Sequence, residues 1–271
     1  MVPVRGRLSG APSVMSPRDT LLADIVALSP SSLERWNRCR REYRSRDLLG
    51  LPESNPGPPA DMGNLVHSLL RMIHEQGTCR DDAFVTDVLA RHGVDGVGPV
   101  SGFIARHRVR CPADASRSRH ELELARFHRA PAPMFMATGR LDAVWIHDGL
   151  LDVRDYKTGG SFFERVADDP RARLQAWLAA PIAARNALGV RVRYEHLAAE
   201  IDDDPDPFEP DADELDTIGE ELRMVVAQIR AEPTFAGAAD TAVCARCRYR
   251  GVCPDSATPA EPAWPTPPDE C

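Results

Sequence analysis

The sequence predicts an α/β fold built around one antiparallel hairpin and wrapped by helices. Three observations carry this. Residues 139–160 (GRLDAVWIHDGLLDVRDYKTGG) set two apolar-rich runs on either side of Asp148-Gly149, and an Asp-Gly pair so placed signals a two-residue hairpin turn. Segments with helical spacing of apolar residues precede that hairpin. After it the pattern turns helix, strand, helix over 171–188, 190–198 and 210–231.

Taken in order, residues 1–27 are rich in Pro, Gly, Ser and Arg and read as a loose arm. A helix begins at Ser29-Pro30-Ser31-Ser32 with serine capping and Glu34 in the first turn, and runs on through LERWNRCRREYRSRDLLG. Leu33, Trp36, Cys39 or Arg40, and Tyr43 share one face of it, surrounded by Arg35, Arg38, Arg41 and Arg44. Those arginines are either solvated charges or phosphate contacts. Residues 51–60 are too proline-rich for a helix. A helix capped near Asp61 follows, burying Leu65, Leu69, Met72 and Ile73 and carrying His67 one turn beyond Gly63. Two further helices are expected between 80 and 110, separated by a Gly-rich break at 92–99.

Residues 119–129 alternate as a strand, and with strands over 134–147 and 150–157 they predict at least a three-stranded antiparallel run. Pro181 predicts a kink or a break in the helix over 171–188. The helix over 210–231 is amphipathic through Leu215, Ile218, Leu222, Val225, Val226 and Ile229. The Pro-rich segment after Cys253 reads as disordered, so the expected domain is 28–254, between an arm (1–27) and a tail (255–271).

A length of 271 residues suffices for one domain with decorations. A net charge of −8 and a pI near 5.5 argue against non-specific attraction to nucleic acid, although a local basic groove is compatible with an acidic remainder. The acidic excess, gathered at 202–221, reads as a solvated face. No run approaches the roughly 20 apolar residues of a membrane span. Residues 21–28 are too short, and too interrupted by Asp24, for a secretory signal, so a cytoplasmic protein is expected, with no membrane partner.

In a hairpin turning at 148 and 149, Asp142 faces Asp155, Val144 faces Val153 and Ile146 faces Leu151. Side chains alternate faces, so Asp142, Asp155 and Lys157 lie on the side of that apolar ladder. Two facing carboxylates repel, and burying them is costly unless a cation intervenes. A hard divalent ion such as Mg²⁺, held by one or two carboxylates, removes the penalty. Lys157 is the only lysine of the chain, and its compact charge does what an arginine fork does not. The bland alternative is a surface hairpin with a weak Asp155–Lys157 pair.

Cys244, Cys247 and Cys253 stand in a C-x2-C-x5-C array. Three thiols in ten residues of a cytosolic chain, where disulfides are rare, point to a metal or a cluster that needs a fourth ligand. Cys39 is the best candidate, and zinc and iron both stay open on spacing alone. Arg246, Arg248 and Arg250 interleave with these cysteines, whereas Cys79, Cys111 and Cys271 fit no spacing pattern and read as ordinary thiols and a tail residue.

These pieces, in this order, resemble the PD-(D/E)XK nuclease superfamily, in particular its RecB-like branch. That branch's G-x-x-x-H helix is matched by Gly63 and His67, its G-x-x-D strand by Gly139 and Asp142, and its D-x-K-T-G strand end by Asp155, Lys157, Thr158 and Gly159. Its Q-x-x-x-Y helix is matched by Gln175, with Ala179 in place of the tyrosine. Iron–sulfur members place one cysteine before the first motif and three after the last, as Cys39, Cys244, Cys247 and Cys253 stand here.

The resemblance implies a mixed, restriction-endonuclease-like sheet flanked by helices, with a [4Fe-4S] cluster clamping the N- and C-terminal segments together. It implies Mg²⁺ or Mn²⁺ on His67, Asp142, Asp155 and the Tyr156 carbonyl, with Lys157 and Gln175 in catalytic roles. Its substrate is DNA, at ends or in single strands, with Arg35, Arg38, Arg41, Arg246 and Arg248 on the backbone. A helicase or another repair or defence protein is the expected companion. The alternatives are an idle DNA-binding scaffold of a helicase–nuclease assembly and a CRISPR spacer-acquisition nuclease.

Overall fold

The structure, a computed structural model, describes residues 25–256 except 54–58, 95, 113–117, 160–164 and 200–203, and leaves aside the side chains of 59–61. Most of the expected arm, most of the Pro-rich tail, the Asp61 cap and the Gly160 end of the hairpin motif lie outside the described residues.

The chain opens with β1 (Val26–Leu28), a strand where the sequence suggested the end of a loose arm. Helix α1 (Pro30–Arg38) starts as predicted: Ser29 and Ser32 form a reciprocal capping box, worth about 1 kcal/mol. Glu34 falls beyond the first turn, because the helix begins at Pro30. The helix does not run on. Cys39 adopts an extended backbone (φ −160°, ψ 113°), and a new short helix, α2 (Arg40–Tyr43), starts after it and widens into a π turn over Arg44–Leu48.

Next come α3 (Pro59–Gln76), α4 (Asp82–Arg91) and α5 (Pro99–Arg110), the last two at the expected places. The α3 stripe is shifted from the expected one: Val66, Leu69, Leu70 and Ile73 are fully buried, while Leu65 and Met72 pack only partly. The sheet strands are β2 (Ser118–His128), β3 (Phe135–His147) and β4 (Leu150–Lys157). Helix α6 (Pro170–Arg185), β5 (Gly189–His196), α7 (Ala212–Ala231) and α8 (Thr241–Arg246) complete the fold.

Pro181 neither breaks nor ends α6. A proline in a helix orphans the carbonyl four residues before it. Here that carbonyl, of Trp177, accepts a 2.6 Å hydrogen bond from Arg126 of β2, whose guanidinium also lies 3.7 Å from the Trp177 ring centroid.

The sheet is mixed, ordered β1-β3-β4-β5, with β2 also on β3. Strand β3 is long enough to serve three partners: β2 runs antiparallel along most of it, β1 pairs parallel with Phe135–Ala137, and β4 pairs antiparallel with its far end. Strand β5 lies parallel to β4. The hairpin register is the predicted one, with Val144 opposite Val153 and Ile146 opposite Leu151. Asp148 (φ +52°) and Gly149 (φ +73°) both enter the left-handed region, as a two-residue turn matching strand twist requires.

Helices cover both faces of β4, whose six central residues are all buried. On one face Val144, Leu151, Val153, Val192 and Tyr194 pack under α6, α7 and α1. On the other, Ala143, Trp145 and Tyr156 pack under α3, α4 and α5. The acidic stretch is not wholly solvated, since Arg173 of α6 bridges Glu214 and Glu221 of α7.

Candidate active site

The hairpin end opposite its turn is approached by α3 from one face of the sheet and by α6 from the other. Two glycines permit that approach. A side chain on Gly63 of α3 would press on the Thr158 hydroxyl (3.2 Å), and one on Gly139 of β3 would collide with Leu178 of α6 (2.7 Å). The motif glycines thus bring helices against the strand ends that hold the acids.

There Asp142, Asp155, Lys157 and His67 converge. The Tyr156 N–H donates to Asp142 Oδ2 (3.0 Å), the Tyr156 carbonyl meets His67 Nε2 (3.1 Å), and His67 Nδ1 lies 3.5 Å from Asp142 Oδ1. Lys157 donates to Asp155 Oδ2 (2.8 Å) and rests 4.6 Å from the Tyr194 ring centroid. Gln175 of α6 donates to the same Asp155 oxygen (3.4 Å), leaving its own Oε1 buried without a hydrogen-bond partner. The side chains of Asp142, Asp155, Lys157 and His67 keep 17%, 13%, 18% and 26% of their surface, so the site is sheltered yet reachable.

The electrostatics separate the two acids. Burial and then the Asp155 charge push the Asp142 carboxyl above its usual range, with His67 offsetting part of this. Burial would also raise Asp155, but Lys157 outweighs it and holds that acid low. Burial would depress His67, yet Asp142, Asp155 and the Tyr156 carbonyl lift it above its ordinary value. An imidazole, two acids and a backbone carbonyl around one under-compensated charge form a donor set that suits a divalent cation.

Sequence reasoning missed Glu121. His67, Glu121 and Asp142 offer ligand atoms that all lie within 4.8 Å of one another. Glu121 sits in β2 between the pairs His120↔Ala143 and Leu122↔Leu141, hence opposite Asp142, with a left-handed backbone (φ +52°) and an ion pair to Arg140. The proline-containing link between β2 and β3 sets no register a reader could count from, so no local signal marked it. Asp155 stands beside this group, turned to Lys157. Ala179, at the motif's tyrosine position, is fully buried in the core, and the ring beside Lys157 comes instead from Tyr194 of β5.

The four predicted cluster cysteines, Cys39, Cys244, Cys247 and Cys253, all line one cavity. The extended backbone at Cys39 is what interrupts the helix there. Beside that cavity the segments 41–53 and 248–255 are held together: Arg41 pairs with Asp255 (2.8 Å), the Tyr249 hydroxyl donates to the Leu51 carbonyl (2.9 Å), and Glu53 pairs with both Arg46 and Arg248. Arg35, Arg38, Arg246 and Arg248 border a neighbouring cleft together with Glu42 and Glu53. Several are already engaged: Arg35 is bidentate to Asp47 (2.7 and 2.6 Å), and Arg38 reaches Glu34 and Glu42. No helix among the described residues is long and apolar enough to cross a membrane.

An α/β fold with two acids and a lysine at the open end of a central hairpin defines a class of phosphodiester-cleaving enzymes. Residues 27–254 match the family described as the PD-(D/E)XK nuclease superfamily, and the chain belongs to it. A search of curated proteins finds no match. Among solved structures the chain is similar to the crystal structure of SSO0001, at 13% identity and a TM-score of 0.41, covering 86% of this chain and 88% of that one. It is also similar to a candidate exonuclease from Eubacterium rectale, at 11% identity and a TM-score of 0.45, covering 83% and 90%. Family membership sets the chemistry as phosphodiester hydrolysis and the substrate class as nucleic acid.

Proposed function

We propose that this chain is a Mg²⁺- or Mn²⁺-dependent deoxyribonuclease of the RecB-like branch, acting on DNA ends or flaps with single strands favoured. The observation that carries this is the meeting of His67, Asp142, Asp155 and Lys157 at one end of the hairpin. His67, Asp142, Asp155 and the Tyr156 carbonyl, with Glu121 beside them, would hold the ion. When bound, it supplies charge that polarises a scissile phosphate and acidifies a water.

The chain's own groups account for the rest. Asp155 holds the Lys157 ammonium at the site, where it stabilises charge growing on the phosphate oxygens or orients the attacking water. Gln175 fixes Asp155 from α6 and keeps a free acceptor, Oε1, suited to accept a hydrogen bond from a water and orient it.

The cavity of Cys39, Cys244, Cys247 and Cys253 supports a [4Fe-4S] cluster as the clamp between the chain ends, with residues 28–254 as the nuclease domain. The Tyr249 N–H already points at Cys247 Sγ (3.4 Å).

The test is digestion of end-labelled single-stranded DNA, duplex DNA and RNA by reconstituted protein with Mg²⁺ or Mn²⁺. Cleavage of DNA by the wild type, abolished in Asp142→Ala and Lys157→Ala with circular dichroism unchanged, is the expected result. Wild-type protein that cuts none of these under either metal leaves the scaffold reading in its place.

A further inference from the structure

Cys79 and Cys111, which fit no sequence pattern, are brought together by the fold. With His74 and His107 they offer four ligand atoms, all within 4.8 Å of one another. His74 lies in the last turn of α3, Cys79 in the loop after it, His107 in the last turn of α5 and Cys111 at that helix's C-cap. His74 Nε2 is 2.9 Å from His107 Nε2 and 3.8 Å from Cys111 Sγ. His107 and Cys79 are fully buried, and Cys111 keeps 4% of its surface.

We propose that His74, Cys79, His107 and Cys111 form a structural zinc site. Two thiols and two imidazoles are the donor set zinc takes in closed sites, and Zn–N near 2.0–2.1 Å with Zn–S near 2.3 Å places donors roughly 3.3–3.8 Å apart. The observed separations bracket that spacing. A second, independent feature is the support of His107. Its Nδ1 bonds Glu195 Oε2 at 2.8 Å, and Glu195 is itself held by Arg154 at 2.5 Å. A carboxylate only accepts, so Nδ1 carries a proton, and in the neutral imidazole this leaves the Nε2 lone pair for a metal. Metal-binding histidines are oriented in this way.

The charges balance as well. Two thiolates and Zn²⁺ sum to zero, and the adjacent buried charges are already matched, with Arg154 between Asp152 and Glu195 and Arg193 on Asp152. The peptides carrying the two cysteines are cross-braced, Arg108 donating to the Cys79 carbonyl (2.6 Å) and Arg80 to the Cys111 carbonyl (2.9 Å). The site ties the end of α3 to α5 and, through Glu195, to β5. It stands apart from the nuclease reading and from the four-cysteine cavity.

Full-length protein, purified under reducing conditions, is assayed for zinc and iron by elemental mass spectrometry. The comparison set is Cys79→Ser, Cys111→Ser and the triple variant Cys244→Ser/Cys247→Ser/Cys253→Ser. The expected result is one zinc per chain that persists in the triple variant and is lost in either single variant. Because those variants risk misfolding, peptide-resolved alkylation of the wild type gives a second measurement: zinc chelation should sharply raise labelling of Cys79 and Cys111. Zinc content indifferent to Cys79→Ser and Cys111→Ser overturns the assignment. So does labelling unchanged by chelation, or a Cys79–Cys111 disulfide in place of metal.

Discussion

The backbone N–H of Tyr156 donates to Asp142 Oδ2 at 3.0 Å, one step past the last ladder pair of the hairpin, Ala143↔Arg154. A side-chain carboxylate thus takes the place a strand carbonyl would occupy, while the carbonyl of the same tyrosine turns to His67. Acid, imidazole and carbonyl are tied to one residue's peptide groups. The site inherits its geometry from strand register rather than from loops.

Asp142→Asn therefore separates stability from activity. Asparagine keeps an acceptor for the Tyr156 N–H but removes a charge that burial and Asp155 make costly without an ion. The metal-free thermal midpoint is expected to equal or exceed that of the wild type. The rise in midpoint on adding Mg²⁺ should vanish, and cleavage should fall by about 10²–10³ or more, the scale for losing one stabilising group at a reacting phosphate. A thermal-shift titration alongside the digest checks this; a variant that keeps its Mg²⁺-induced shift would place the ion elsewhere.

Much of this arrangement was legible in the sequence because the hairpin is local. Asp148-Gly149 fixes the turn, the turn fixes the register, and the register places Asp142, Asp155 and Lys157. Features that depend on distant segments were not legible. Glu121 needed the β2–β3 register, and the His74–Cys79–His107–Cys111 group needed α3 and α5 side by side; only the four-residue step from His107 to Cys111 hinted at it. The break at Cys39 contradicted a helical pattern that satisfied the local rules, and it sets Cys39 on the cavity lined by the C-terminal cysteines, about two hundred residues away in the chain. Pro181 does not break α6, and Arg126 donates to the carbonyl it orphans, a contact that needs β2 beside the helix.

Cys244→Ser removes one of the four cysteines that line the cavity between the N- and C-terminal segments. With the proposed cluster bound there, losing a cross-link across so long a loop is worth on the order of 2–5 kcal/mol by analogy with a disulfide. At about 2–4 °C per kcal/mol for a chain of this size, the midpoint should drop on the order of 10 °C. If the proposed [4Fe-4S] cluster is bound, the anaerobically purified wild type should be brown and the variant bleached. Retained colour with an unchanged midpoint would remove these cysteines from the cluster.

Stability should fall in alkali. Burial, followed by the Asp47 charge, raises the Tyr43 phenol to about 12, and burial with Asp155 and Asp169 raises Tyr194 as well. A phenol raised in the folded state favours folding fully below the unfolded value near 10, and that contribution is lost as pH climbs through the folded value. For Tyr43 the loss between pH 10 and 12 is on the order of 2 kcal/mol. Urea unfolding at pH 9, 10 and 11 measures it, and tyrosinate absorbance should lag the same titration in denaturant. Native tyrosines ionising together near pH 10 without loss of stability would contradict the packing of Trp36 against Tyr43.

The arginines around the cleft should divide into braces and contacts. Arg35 is bidentate to Asp47, with 11% and 16% of the two side chains exposed, so Arg35→Ala strands a partly buried carboxylate. It should cost on the order of 1–3 kcal/mol of stability while leaving the salt dependence of DNA binding intact. Arg246 is exposed, and its Nε makes only a 3.4 Å contact to the Ala242 carbonyl, so Arg246→Ala should be thermally neutral. If it meets the DNA backbone, the slope of log affinity against log salt for single-stranded DNA should flatten by about 0.7, one counterion's worth. Fluorescence anisotropy over a potassium chloride series, in the Asp142→Asn background to prevent cutting, resolves the two. A flattened slope in Arg35→Ala and none in Arg246→Ala would move the DNA path to the α1 side of the cleft and make Asp47 a competitor for the phosphate.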